Sequence, residues 1–583
     1  MNQEGCLTAP FVVAGAARHR EWRQFRLLLH DSVKRLLTSA VLAREADPWQ
    51  FAIWVTAIVC TPPWMYTVSK LFKYAVLRLQ GPEVVERVLA NDRMFFVVYG
   101  MVAAALLAAL TWEALVPDRT DQEILGVLPV RPRTVAAARL TGAITMVVAF
   151  AVAINAPTAI FFSLIAARPP FLLSIPALLF THMIVTTAGM LTVFLALLIV
   201  RGLIAITLSD ALANVTAGLL QLASVSAMIE AFVYVPSLVP LLVRTMIQGG
   251  SASRWIPPVW FTALYSVMAG QWQPALVQEA QIGGAVFGLT SIAAVAVYLA
   301  PAAWIARRAL TTLSKQRTMY ASAIIRWTSR AVAPVPRVRA LIAFTIASLT
   351  RSRRHVFVLL GYLGAAVAIA AISVFAATIR RTVSFETPAA YLLSLPLVLI
   401  FFTVLGLRTT FRIAIDLEAS WPFRISRVRS PDAAAAARVT LMALGVLPFA
   451  LAAMTAAFAF GWGARVALEL GAFDLLIGLA LVEAVTYGWH AIPFARAYAP
   501  STHTVRWRGP AMLVPLNVFA FRGADAQFAA LDSPHGVVVY AAVLLTVVVL
   551  VGAASRRTSG SMDLAFDTDS DDSMQTLGLS DAV

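Results

Sequence analysis

The chain has 583 residues, of which 60% are hydrophobic and only 13% are charged, and its mean hydropathy is +0.79. A soluble globular protein has roughly 45–50% apolar and about 25% charged residues. So few charges cannot cover a water-exposed surface, which excludes a soluble enzyme, a disordered scaffold and a secreted disulfide module. With only two cysteines, Cys6 and Cys60, a cysteine metal cluster is excluded. The net charge of +16 indicates basic loops against anionic lipid and not nucleic-acid binding.

Runs of about 20 mostly apolar residues predict membrane-spanning helices, because a helix of that length crosses the hydrocarbon core. Eleven such runs and one shorter stretch at 510–521 occur. We therefore predict an all-α fold, a polytopic membrane helical bundle of about 12 spans in two pseudo-repeated halves of six. The eleven runs are 50–68, 94–112, 140–166, 172–199, 215–243, 283–304, 356–378, 388–406, 438–463, 471–493 and 535–553.

The distribution of charge and hydropathy predicts five parts of the chain. They are a cytoplasmic N-terminus with an amphipathic elbow helix (1–48), a first transmembrane half (49–305), a basic cytoplasmic linker with a second elbow helix (306–355), a second transmembrane half (356–555) and a disordered acidic tail (556–583). The tail lacks the glycine and the final glutamate of an EF-hand calcium loop, so we expect it to be disordered. No cleavable signal peptide is expected.

The basic loops predict the orientation of the chain in the plasma (inner) membrane. Residues 305–355 contain eleven Lys and Arg and no acidic residue, so the positive-inside rule places them in the cytoplasm. The 114–139 and 407–438 loops lie on the same side if each half crosses six times, which also makes both termini cytoplasmic. The 69–93 loop disagrees, because it holds five basic residues where the scheme requires an outside loop.

Each half opens with a basic segment whose apolar residues recur every three or four positions, the spacing of an amphipathic helix. Such a helix lies in the membrane surface with its basic face toward lipid headgroups. The alternative is a solvated loop that happens to alternate. The apolar positions are Trp22, Phe25, Leu29, Val33 and Leu36 in the first segment and Ile342, Ile346 and Leu349 in the second.

Two cytoplasmic loops, 116–140 and 411–439, share a pattern of spaced acidic residues followed by an Arg/Pro stretch and the next span. As helices, both would have one polar and one apolar side, which favours docking into a groove of a partner. The polar positions are Asp118, Asp121 and Glu123 in the first loop and Arg412, Asp416 and Glu418 in the second.

The block 94–140, an apolar span that runs into DRTDQEILGVLPVRPRTVAAARL, resembles the second span and coupling helix of permease subunits in type-2 ABC exporters. It is similar, more narrowly, to the ABC exporter permeases in which two such halves are fused. The elbow helices fit that plan, as does the aromatic stretch 254–270, where that family has a short re-entrant helix on the outer face. The resemblance covers most of 20–305 and, more loosely, 337–553. The short stretch 510–521 departs from it.

This resemblance implies a transporter subunit and not an enzyme. The chain has no G-x-x-x-x-G-K-[ST] phosphate loop, so no cofactor is expected in it and ATP would bind a separate ATPase subunit, in two copies. The six polar positions of the two loops would couple to that partner. We expect membrane lipids with anionic headgroups as further partners, no nucleic acid, and export of a substrate that the sequence does not identify.

Ionisable residues at bilayer depth are candidates for the substrate pathway, because burying a charge in lipid is unfavourable. They are His182, Glu230, Glu483 and His490. The alternative for the two glutamates is a structural carboxyl that is protonated or hydrogen-bonded to a neighbouring helix. For His182 a role in helix packing is favoured over metal binding, since no second ligand stands near it at ligand spacing.

Aromatic and polar residues in the first half lead to two further expectations. Asn155 is expected to bond a carbonyl that Pro157 leaves free. Five aromatic residues predict an interfacial aromatic belt in preference to a ligand cage. They are Trp255, Trp260, Phe261, Tyr265 and Trp272.

Two other functions stay open from sequence. A secondary transporter of the major facilitator type also has twelve spans, two halves and a basic central loop, although its short G-x-x-x-D-R-x-G-[RK]-[RK] pattern is not present. A membrane-embedded enzyme acting on lipid-linked substrates would need clustered carboxylates or histidines near a membrane face, and the sequence shows no paired set.

Overall fold

The computed structural model is mostly helical, with short turns and irregular segments between the helices. The described residues are 9–40, 48–77, 79, 81–111, 124–248, 253–304, 335–379, 385–413, 423, 428–494 and 514–560. Within these ranges there is no strand, so the predicted all-α fold is confirmed. Helices satisfy their backbone hydrogen bonds internally, which is the requirement that lipid imposes on a spanning segment.

Nine helices of the described residues are long and apolar enough to cross a membrane, as expected of a multi-pass membrane protein. They are Glu83–Thr111, Pro132–Ala166, Phe171–Thr207, Val215–Gln248, Pro274–Trp304, Val358–Phe375, Ala390–Phe411, Ser430–Ala459 and Pro534–Thr558. The helix Ala464–Val485, which covers most of the predicted span 471–493, is not among them. Four charged side chains in its 22 residues lower its apolar character.

Prolines mark where many of the helices begin. A proline at the first helical position loses nothing, because the amide there has no partner within the helix, and its fixed φ suits the first turn. Such prolines are Pro48, Pro82, Pro132, Pro257, Pro274, Pro336 and Pro534. These prolines therefore mark the first residue of several helices, whereas hydropathy alone locates the start of a helix only to within several residues.

The chain divides into two compact units, with Leu313 and Ser314 at the boundary. In unit 1 the long helices are α1 (Ala9–Ala40), α2 (Pro48–Leu77), α3 (Pro82–Thr111), α4 (Pro132–Ala166), α5 (Phe171–Thr207) and α6 (Asp210–Gln248). A single 3₁₀ turn, the short helix α7 (Pro257–Met268) and the long helix α8 (Pro274–Leu299) follow. Helix α3 is central, since it packs against α5, α6 and α7.

Unit 2 contains α9 (Pro336–Arg351), α10 (Arg353–Ile379), α11 (Ala390–Phe411), α12 (Ser430–Ala459), α13 (Ala464–Val485), the short α14 (Gly523–Leu531) and α15 (Pro534–Gly560). Helix α14 continues from a π-helical turn at Asn517–Arg522. The core of unit 2 lies where α11 meets α10, α13 and α14. The stretch 510–521, left doubtful from sequence, thus belongs in part to a short helix packed inside this unit.

If the long helices of each unit are counted from the one that follows its amphipathic helix, α1 and α9 both pack on the third, which is α4 in unit 1 and α12 in unit 2. Leu36 of α1 is buried, and Ser32 and Val33 lie against Gly142 of α4. Trp22, in contrast, is 59% exposed and does not pack on the helices of unit 1. In α9, the predicted residues are buried together with neighbours one turn away. The buried residues of α9 are Val338, Leu341, Ile342, Thr345, Ile346 and Leu349.

Pro157 lies inside α4 and leaves the carbonyl of Ala153 without its helical amide. The Cys60 thiol of α2 contacts this carbonyl at 3.3 Å. Asn155 bonds the Ala151 carbonyl at 2.8 Å, so the expectation that Asn155 satisfies the freed carbonyl is wrong. A cysteine on a neighbouring helix does so, which the sequence could not show because the contact spans 93 residues.

Candidate functional site: polar contacts inside each helical unit

Most of the predicted coupling residues lie outside the described part of the chain. These are Asp118, Asp121, Glu123, Asp416 and Glu418. Arg412 is described: it is partly buried and follows directly after α11, with its amide donating to the Thr409 carbonyl at 3.2 Å. The structure therefore places only the ends of the two loops.

The end of the first loop lies against α1. Arg131 forms an ion pair with Glu21 at 3.0 Å, and the Gln24 amide donates to the Pro129 carbonyl at 3.3 Å. Just before this contact, three apolar side chains are exposed to solvent. They are Ile124 (56% exposed), Val127 (81%) and Leu128 (48%). A run of exposed apolar residues next to a tethered turn is a surface that another chain could cover.

The corresponding loop of unit 2 lies against α9. Phe423 meets Phe344 of α9 edge-to-face, with ring centroids 4.9 Å apart. At the start of that loop, the Ile413 carbonyl lies 2.8 Å from His355 Nε2 on α10. The Phe494 amide donates to the Phe411 carbonyl at 2.8 Å. The start of the loop between α11 and α12 and its residue Phe423 are thus in contact with other segments of unit 2.

His182, a predicted pathway residue, is fully buried at the centre of unit 1. Its Nε2 lies 3.2 Å from the Thr158 hydroxyl on α4, and its Nδ1 lies 3.3 Å from the Tyr265 hydroxyl on α7. Phe96 packs edge-to-face on the ring, with centroids 5.0 Å apart. A neutral imidazole has one donor and one acceptor nitrogen, and a hydroxyl can serve either, so this ring is fully hydrogen-bonded.

Glu483, another pathway candidate, lies near the C-terminal end of α13 and is 5% exposed. Its Oε2 is 3.0 Å from Nε of Arg438 on α12. The Arg438 guanidinium also donates to Thr486 at 3.3 Å and to Ser555 of α15 at 2.9 Å. Since the Nε–H is directed at Thr486, the contact with Glu483 is an ion pair rather than a linear hydrogen bond. One arginine thus joins three helices.

The other two pathway candidates are placed less deeply. Glu230 lies in α6 and is partly buried. His490 lies beyond the end of α13, in the segment after Val485, and its Nδ1 is 2.8 Å from the Gly488 carbonyl. The predicted span 471–493 is therefore displaced toward the N-terminus, and His490 is not in a helix. Two of the four candidates thus lie in each unit.

Asp92, which was not among the predicted site residues, anchors a polar cluster in unit 1. Asp92 is 1% exposed and accepts hydrogen bonds from the hydroxyls of Tyr66 and Tyr74, both at 2.6 Å. Lys70 Nζ lies 3.1 Å from the same carboxylate and 4.4 Å from the centre of the Tyr66 ring. The spacing of Tyr66, Lys70 and Tyr74 at i, i+4 and i+8 was the available signal, because it places them on one face of α2.

Arg93 is the neighbouring buried charge, at 4% exposure. Its guanidinium lies 5.3 Å from the centre of the Tyr265 ring and contacts Gln271 at 3.3 Å. Glu86 also bonds Gln271 and forms an ion pair with Arg168. These contacts attach the turn after α7 to α3, and they account for part of the basic 69–93 segment, in which Lys70 and Arg93 are both engaged inside the unit.

The aromatic residues near α7 correct another expectation. Trp255 and Trp272 are 83% and 73% exposed, as an interfacial belt requires. Phe261 and Tyr265 are instead fully buried against α3 and α5. Helix α7 therefore uses one side to pack in the core, and the belt interpretation fails for these two residues. Trp260 is partly buried and donates to the Arg254 carbonyl at 3.1 Å.

Asp474 and Gln527 form the most buried polar pair of unit 2, each at 0% exposure. The Gln527 amide donates to Asp474 Oδ1 at 2.9 Å. Asp474 lies inside the predicted span 471–493, so a survey of every ionisable residue in the apolar runs would have found it. Among the described residues, no three His, Cys, Asp or Glu side chains come together as metal ligands.

No family model, curated protein or solved structure matches this chain.

Proposed function

We propose that the chain is the transmembrane permease component of an ATP-binding-cassette exporter, driven by separate ATPase subunits. One ATPase subunit would dock on the loop between α3 and α4 in unit 1, and the other on the loop between α11 and α12 in unit 2. The multi-pass helical fold is compatible with this function. The carrying observation is that each of these loops contacts the amphipathic helix of its own unit, through Glu21–Arg131 in unit 1 and Phe344–Phe423 in unit 2.

A docking loop must transmit force, and these contacts supply the connection. Helix α1 packs along α4, and α9 packs along α12, so each amphipathic helix bridges a loop to the third long helix of its unit. A push on the loop would therefore reach the bundle through a packed helix as well as along the chain itself. This is the kind of element that converts closure of a partner into a rocking motion of helices.

The exposed residues Ile124, Val127 and Leu128 supply an apolar surface beside the predicted acidic positions. An amphipathic segment of this kind suits a groove on a partner subunit. Because the sequence contains no phosphate-binding loop, an ATP-driven mechanism needs such a partner.

The order of packing supports two pseudo-repeated halves. In each unit an amphipathic helix packs on the third long helix, a short helix packs on the second, and the last helix packs on both the short helix and the fourth. The corresponding pairs are α1–α4 and α9–α12, α3–α7 and α11–α14, α7–α8 and α14–α15, and α5–α8 and α13–α15. A repeat of this kind would give each ATPase copy one loop to bind.

Charge reversal in the loops tests the docking. The double variants Asp121→Lys/Glu123→Lys and Asp416→Lys/Glu418→Lys should each reduce recovery of an ABC ATPase encoded beside this chain about tenfold, equivalent to ~1.4 kcal/mol of binding. The measurement is co-purification of the ATPase with the tagged full-length chain from membranes.

Matched controls are Glu386→Lys and Asp532→Lys. These two acidic residues are exposed and lie just before the first residues of α11 and α15, outside the two loops. They should leave ATPase recovery unchanged. Equal recovery with the loop variants and the controls would contradict the docking assignment. Substrate transport by the chain reconstituted without any ATPase would favour the secondary-transporter alternative.

A further inference from the structure

The pair formed by Asp474 on α13 and Gln527 on α14 has a specific defect in its hydrogen bonding. The Gln527 amide nitrogen donates to Asp474 Oδ1 at 2.9 Å. The other two oxygens, Asp474 Oδ2 and Gln527 Oε1, are fully buried and have no hydrogen-bond partner. Buried polar atoms are nearly always bonded, so two orphans in one contact require an explanation.

The surroundings of the pair are apolar. Leu470 and Phe473 on α13 and Ala524 on α14 are each no more than 2% exposed and lie around the contact. Phe473 packs edge-to-face on Tyr540 of α15, with centroids 4.9 Å apart. The Tyr540 hydroxyl is directed to the Gly523 carbonyl at 3.5 Å. It therefore offers no hydrogen bond to either orphaned oxygen.

An ionised Asp474 would be poorly stabilised here. Tyr540 is the titratable group that interacts with it electrostatically, and a neutral phenol brings no positive charge. Two charged side chains of the neighbouring segments have other carboxylates as partners: Arg438 pairs with Glu483, and Arg522 pairs with Asp525. An isolated carboxylate in an apolar interior is strongly unfavourable.

A single proton removes the defect. A carboxylic acid protonated at Oδ2 has one donor, and Gln527 Oε1, which belongs to the amide already bonded to Oδ1, is an acceptor that lacks one. Acid and amide then face each other through two hydrogen bonds, N–H to Oδ1 and O–H to Oε1, and no orphan is left. A metal cation fits less well, because calcium and magnesium take six or more oxygens and this contact offers two.

We propose that Asp474 and Gln527 form a proton-binding site, and that its proton holds the short helix α14 against α13. Loss of the proton creates a buried negative charge with one hydrogen bond. The folded contact must then admit water or separate. Because the folded state binds a proton that the unfolded chain releases at a lower pH, the stability is greatest in acid and falls as the pH is raised through the titration of the site.

Infrared difference spectra of the purified full-length chain in lipid nanodiscs test the site directly. The wild type should show the C=O band of a protonated carboxylic acid that shifts in D₂O and disappears as the pH is raised. The Asp474→Asn variant should lack this band. The control Glu469→Gln, in which a partly exposed acid of the same helix is removed, should keep it. A wild type without an Asp474-dependent acid band at any pH would overturn the proposal.

The melting temperature gives a second readout. It should fall by roughly 2–4 °C in the wild type from mildly acidic to alkaline pH and stay level in Asp474→Asn, where an amide replaces the acid. If Asp474→Asn does not fold, the variant Gln527→Met tests the same pair. It should keep the acid band but move it to higher frequency, because the carboxylic acid of Asp474 loses its hydrogen bonds with the Gln527 amide. An unmoved band, or a stabilisation by sodium that depends on Asp474, would contradict the acid–amide pair.

Discussion

The fourth long helix of each unit is joined to that unit's short helix by a buried polar pair, but the two pairs differ in chemistry. In unit 1, His182 of α5 meets Tyr265 of α7. In unit 2, Asp474 of α13 meets Gln527 of α14. The first pair is fully hydrogen-bonded when neutral, with Thr158 on the second ring nitrogen. The second has two orphaned oxygens.

The contact between the fourth long helix and the short helix can therefore have a different role in each unit. The contact in unit 1 needs no change of charge to be complete, so we expect it to act as a fixed joint. The contact in unit 2 depends on a proton, and the same helix carries a second charged contact at Glu483. Unit 2 is therefore the half whose helix contacts should respond to pH and to the loss of a charge.

The two fourth helices also share a feature. In each, a glycine lets a neighbouring helix approach so closely that a Cβ would overlap a valine. A Cβ on Gly202 of α5 would lie 2.4 Å from Val297, and one on Gly478 of α13 would lie 2.3 Å from Val446. Small residues permit such approaches between membrane helices, where packing rather than the hydrophobic effect drives association.

The largest effect is expected from Arg438→Met in unit 2. This change leaves Glu483 buried without its ion pair, which should lower the free energy of unfolding by ~3 kcal/mol. Denaturant unfolding in mixed micelles measures it. The double variant Arg438→Met/Glu483→Gln should recover most of the loss. The control Arg465→Met breaks an exposed pair with Glu469 and should change the stability by less than about 0.5 kcal/mol. Equal losses would show that Glu483 is not a buried charge.

The second effect tests the shared glycines. Gly202→Val and Gly478→Val should each lower the free energy of unfolding by about 1–3 kcal/mol, because the added atoms force neighbouring helices apart. Gly284→Val is the matched control in α8, since a Cβ there meets nothing within 4 Å. The same unfolding assay applies. A tolerated Gly478→Val with a damaging Gly284→Val would contradict the packing of α13 on α12.

The smallest effect is expected from Tyr265→Phe in unit 1. The ring beneath Arg93 is retained, and only the hydroxyl on His182 Nδ1 is lost, which should lower the stability by ~1 kcal/mol. The loss should be the same at acidic and alkaline pH, unlike that of Asp474→Asn. Tyr487→Phe, at an exposed tyrosine of unit 2, is the control. A pH-dependent loss in Tyr265→Phe would remove the contrast between the two units.

The long apolar runs were sufficient to predict most of the long helices, their approximate order and the multi-pass character of the chain. Two of the ionisable residues in the apolar runs, His182 and Glu483, also proved to be deeply buried. The reason is local: helix length, the missing amide of proline and the unfavourable burial of charge are all properties of short stretches of chain.

Which side chains meet was decided only by the tertiary structure. Asp92 bonds Tyr66 and Tyr74, and Cys60 reaches the carbonyl freed by Pro157, across gaps that no local pattern spans. Along a helix that is apolar on every side, the sequence does not distinguish a face toward lipid from a face toward protein. For that reason Phe261 and Trp255 look alike in the sequence, although one is fully buried and the other is 83% exposed.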